Sequence, residues 1–138
     1  HYLTLLTNAM TKGISSQEKN MDLEKICNEI LKSDKDIVLV AVSYRADYSF
    51  KEREGVKSFE TKEDIEKSLA DASLRWVTRR SHRELGEPIY AMAKYEKVKR
   101  ITAPLGRYGI ILCVLLPTSD AEKIATNVIK LVKKYSDS

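Results

Sequence analysis

At 138 residues the chain is long enough to bury one real core and too short for two full-sized domains. Its 43% hydrophobic and 32% charged residues exclude a disordered tail, and no apolar run reaches the roughly 20 residues that span a bilayer. A net charge of +4 is too mild to demand nucleic acid.

The first segment, Tyr2 to Met10, is short and apolar, with no basic stretch ahead of it, and is not expected to be a signal peptide. Residues 11–20 are polar and read as a linker, so 1–20 form an N-terminal extension and 21–138 the domain. Leu23, Ile26, Cys27, Ile30 and Leu31 then recur at helical spacing, with charged residues on the other face. Ile37 to Val42 is a continuous β-branched run, the mark of a central strand covered on both faces. The spacing predicts a turn over 44–49 and a charged edge strand over 50–59, with Gly55 inside it.

A long helix follows. Thr61 is its candidate N-cap, and Glu63 and Asp64 suit the positive end of the dipole. Ile65, Leu69, Ala72 and Trp76 make one apolar stripe; Ala70, Leu74 and Val77 make a second. The helix therefore asks for two neighbours, the sheet and either another helix or another subunit. Arg79, Arg80 and Arg83 crowd its C-terminal end, and Gly86 and Pro88 stop it. Three strands are expected at 89–96, 98–105 and 110–116, the last two joined by a hairpin between Gly106 and Gly109. Small Ala91 and Ala93 on the first of these would let the helix approach closely. Ser119 and Glu122 read as a capping box for a final helix carrying Ile124, Ala125, Val128, Leu131 and Val132.

The order is α-β-β-α-β-β-β-α, an α+β fold with a five-stranded antiparallel sheet. The two apolar strands pair in its middle; the charged second strand and the strand at 89–96 take the edges.

Chemistry is sparse. His1 and His82 are the only histidines and have no metal-ligand spacing, so no metal is expected. No Gly-x-Ser-x-Gly elbow occurs, and Gly106 and Gly109 lack the Lys-Ser/Thr of a phosphate loop. No catalytic residue and no cofactor are assigned, and an enzyme is not expected. Cys27 and Cys113 sit in apolar patterns without CxxC spacing, which points to buried, reduced thiols in a cytoplasmic protein. Between Arg75 and Arg107 nine basic residues face three acidic ones, an excess larger than the net charge of the whole chain. Arg75, Arg79, Arg80, Arg83, Lys97, Lys99 and Arg100 are thus a candidate surface for nucleic acid or another anionic partner.

The element order, together with residues 21–32, 72–76 and 90–106, resembles the roadblock family, a relative of the longin and profilin-like folds. Within it the pattern is similar to short, uncharacterised archaeal proteins of this layout. The resemblance covers about Met21 to Tyr135 and carries over no catalytic residue. It implies a symmetric homodimer whose middle helices pair, acting as a non-enzymatic scaffold or regulator for a small GTPase or signalling complex. Leu69, Leu74, Trp76, Val77 and Ala91 are the expected dimer interface. Two alternatives stand beside it: an anionic-ligand or nucleic-acid binder using the basic set, and a small-molecule sensor with a cavity between sheet and helix.

Overall fold

In the computed structural model, which describes residues 21–56 and 60–136, the apolar run Ile37–Tyr44 is strand β1, near the centre of a five-stranded sheet. Helix α1 (Leu23–Ser33) precedes it. Then come β2 (Asp47–Glu52), helix α2 (Lys62–Ser81), β3 (Ala91–Lys94), β4 (Lys99–Leu105), β5 (Gly109–Leu115) and helix α3 (Ala121–Ser136). The strand order is β2-β1-β5-β4-β3 and every pairing is antiparallel. The two apolar strands pair centrally, with Val40 opposite Cys113, and the more exposed strands β2 and β3 take the edges. The expected N-terminal extension, residues 1–20, and the expected end of the second strand at Phe59 lie outside the described residues.

Alternation along β1 sorts its residues between two cores. Val40 and Val42 join Ile26, Ile30, Ile124 and Val128 under α1 and α3, whereas Leu39 and Ala41 join Ile65, Leu69, Ala72 and Trp76 under α2. Among the described residues, the sheet is therefore covered by two helices on one face and by α2 alone on the other. Both cores are filled by packed side chains.

The two stripes of α2 separate as their spacing demands. Ile65, Leu69, Ala72 and Trp76 are buried, while Leu74 and Val77 are 70% and 66% exposed. Thr61 caps the helix: its hydroxyl accepts from the Asp64 N–H at 3.1 Å and the Asp64 carboxylate accepts from the Thr61 N–H at 3.0 Å.

Three boundaries differ from expectation. The first hairpin turns over Arg45 and Ala46 alone, so β2 begins at Asp47 and Gly55 falls beyond it. That turn contains no glycine because Arg45 takes a left-handed φ of 56°, held by its N–H bond to the Tyr108 carbonyl and by its guanidinium over the Tyr108 ring at 4.1 Å. The final helix is capped by Asp120, whose carboxylate accepts from the Lys123 N–H at 3.1 Å; the Ser119 hydroxyl instead donates to the Leu116 carbonyl at 2.7 Å. Strand β3 is four residues long, half the expected span.

Arg53, just past β2, ties α1 to the sheet. Its Nε donates to the Ile37 carbonyl at 2.8 Å, and its Nη2 donates to the Asp34 carbonyl at 2.8 Å and to the Leu31 carbonyl. These are the carbonyls that the end of a helix and the start of a strand leave over. Sequence pattern alone placed Arg53 among the charges of an edge strand.

Candidate functional site

Helix α2 packs chiefly over β5 and β1, toward the middle of the sheet, and Ala91 of β3 packs against the same core. Ala91 is half-buried against that core beside the helix, whereas Ala93 stays exposed on the strand. A groove of about 210 Å³ opens between helix and strand, lined on the helix side by Ser68, Asp71, Ala72, Arg75 and Arg79 and on the sheet side by Ala91, Ala93, Tyr95, Arg100 and Thr102. Thr102, in its lining, accepts a hydrogen bond at 3.0 Å from the indole N–H of the buried Trp76. The opposite flank of α2, with Glu66, Ala70 and Ser73, faces Tyr48 and the turn of the first hairpin.

The expected interface set is divided by this geometry. Leu69 and Trp76 are 4% and 1% exposed in the core beneath α2, so the sheet has already taken the surface they would offer a partner. Ala91 lines the arginine groove. Val77, one and two helical turns on from Ser73 and Ala70, lies on the other flank. Only Leu74 stands outermost, between the two.

The basic set is divided as well. Arg75, Arg79 and Arg100 meet in the groove. Arg79 lies over the Trp76 ring at 5.5 Å, and Arg100 reaches Glu60 at 3.8 Å while its Nε is buried without a hydrogen-bond partner. Arg80 donates to the Arg107 carbonyl at 3.2 Å, at the end of the helix. Arg83 is exposed on a short 3-10 turn beyond it, and Lys97 is exposed between β3 and β4. Lys99 is engaged elsewhere: its ammonium donates to the Ser119 carbonyl at 2.6 Å. Asp71 belongs to the groove and was missed by a reading that counted only cations. Its signal was the four-residue spacing to Arg75.

Among the described residues no three or more His, Cys, Asp or Glu side chains cluster to hold a metal, and no helix is long and apolar enough to cross a membrane. The thiols of Cys27 and Cys113 are both pushed up by burial, that of Cys27 to about 11.

Among the described residues, a five-stranded antiparallel sheet with one long helix on one face and two on the other defines an α+β domain of the roadblock and longin type. The chain matches no family model and no curated protein. Solved structures place the fold more narrowly. The gliding protein MglB of Thermus thermophilus superposes with a TM-score of 0.63 at 11% identity, over 83% of this chain and 88% of that one. A roadblock/LC7 domain from Streptomyces avermitilis gives 0.56 at 13% identity, over 83% and 97%. An MglB with a tetrameric arrangement gives 0.56 at 12%, over 86% and 90%. The chain has the roadblock/LC7 fold.

Proposed function

We propose that this protein is a homodimeric, non-enzymatic roadblock-type module that serves as a scaffold or regulator for a protein partner such as a small GTPase. One observation carries the reading: among the described residues α2 is alone on its face of the sheet, and beside it lies the unpaired edge of β3. Leu74, Met92 and Tyr95 are 70%, 49% and 48% exposed around that step. A second copy placed there by a two-fold axis would cover the free strand edge and the outer side of α2 together, as an isologous interface requires. The tetrameric arrangement described for one MglB supports self-association through this fold. The small GTPase follows from the resemblance to roadblock domains.

A stable dimer needs roughly 800 Å² buried per subunit, and each large apolar side chain covered contributes roughly 1.5–3 kcal/mol. Sedimentation of the wild-type chain at micromolar concentration tests the reading. A dimer is expected; a monomer sinks it. The meeting of Arg75, Arg79 and Arg100 in one groove supports a second reading, an anionic ligand, which predicts binding that weakens steeply with salt.

A further inference from the structure

The charges along α2 are arranged for a second copy of the same helix running the other way. Asp64, Asp71, Arg75 and His82 are separated by seven, four and seven residues, and at 3.6 residues per turn this spacing keeps all four on one flank. Asp71 and Arg75 both line the groove beside β3, which identifies that flank as the one facing the open strand edge. All four side chains are exposed. Asp71 and Arg75 stand one turn apart, yet among the described residues neither forms an ion pair within the chain.

The four positions are symmetric about residue 73. Asp71 and Arg75 lie two residues to either side of it, and Asp64 and His82 lie nine. A two-fold axis passing residue 73 across the helix therefore sets every acid opposite a donor of the other subunit. Asp64 keeps its negative charge there, because the Thr61 backbone and hydroxyl that it caps hold its carboxyl below the ordinary range. A parallel pairing would instead set Arg75 against Arg75 and Asp71 against Asp71.

Resting on the homodimer reading above, we infer that the dimer is held in one antiparallel register by Asp71 against the partner's Arg75 and Asp64 against the partner's His82. The occupant of the groove mouth is thus a second copy of this chain. The same arrangement sets the two helix dipoles head to tail, which favours it further. Each contact occurs twice in the dimer, so one substitution acts at two places.

Charge reversal gives a test that a purely structural role would not pass. Asp71→Arg leaves only cations at the two central positions, and Arg75→Asp leaves only anions. Each variant is expected to repel itself, weakening its homodimer by about tenfold or more at low salt. Mixed in equal amounts, the two variants restore both contacts, one with its native sign and one reversed. Native mass spectrometry of the mixture should then show a heterodimer, formed within about threefold of wild-type affinity and weakened by added salt. The mixture also controls for folding, since an unfolded chain would not pair. Two single variants that dimerise as tightly as wild type overturn the register and leave the dimer standing, as does a mixture that stays monomeric. A wild-type monomer, seen before any variant is made, removes the dimer itself.

Discussion

The indole Nε1 of Trp76 lies 3.0 Å from the hydroxyl oxygen of Thr102, joining α2 to β4 across the second core. Burying an indole leaves its N–H in need of an acceptor, and Thr102 is positioned by the β4 register opposite Leu112 to provide one. The pair defines where α2 sits, and so how wide the groove beside it is.

Replacing either member should lower stability without changing assembly. Trp76→Ala is expected to cost about 3–5 kcal/mol through the cavity it leaves, and Thr102→Val about 1–2 kcal/mol through the orphaned N–H. Urea denaturation checks both, with a lower midpoint and an unchanged slope for Thr102→Val. An acidic residue at position 76 would unfold the domain, so it is no probe of the dimer.

The proper probes of the dimer are the exposed residues of the second stripe. Leu74→Asp should abolish self-association while leaving the circular dichroism spectrum intact. Val77→Asp, on the flank facing away from β3, should remain dimeric. Loss of the dimer in both variants, or in neither, would move the interface off the groove side of the helix.

That division shows where sequence reading stops. Helical period separates Ile65, Leu69, Ala72 and Trp76 from Ala70, Leu74 and Val77, and the structure keeps that separation. Which of these stripes meets the sheet was legible only in part, because both are apolar and periodicity says nothing of what lies opposite. The expectation that Trp76 and Leu69 form an interface failed for that reason.

Arg53→Met removes the side chain that binds the carbonyls of Leu31, Asp34 and Ile37. Charged hydrogen bonds to otherwise unpaired carbonyls make the change costly, about 2–4 kcal/mol. Hydrogen exchange should locate the loss at the end of α1 and the start of β1, and uniform loosening of the whole chain would contradict this assignment.

Tyr135 donates a 2.7 Å hydrogen bond to Glu29, which also pairs with Lys134 at 3.1 Å. The Tyr135 bond, aided by Lys134, holds the Glu29 carboxyl below its ordinary range. Burial, followed by the Glu29 bond, raises Tyr135 to about 12. A depressed carboxyl stabilises the fold above its unfolded pKa and loses that contribution as pH falls through the lower, folded value. A raised phenol contributes fully below its unfolded value near 10 and loses the contribution as pH climbs toward the folded one. Stability should thus fall at both extremes. Tyr135→Phe is expected to flatten the alkaline limb and weaken the acid one, as read from melting temperature across pH.

Cys27 and Cys113 should be inert in the native protein. Burial raises both thiols, and Cys27 Sγ also contacts the Ser49 carbonyl at 3.5 Å. A thiol reagent at mildly alkaline pH should label neither until denaturant is added. Rapid labelling of the folded chain would show that the first core opens.

From the chain alone came the element order, the central place of the two apolar strands and the charged edge, since alternation and helical period report directly on burial. The tertiary structure decided everything that depends on two elements meeting. It spread the apparent arginine surface over a groove, a helix end and a bonded lysine, and it stationed Asp71 beside Arg75 at the mouth of that groove. Local pattern determines which side of an element is buried; the crossing of α2 over the sheet determines which exposed residues become neighbours.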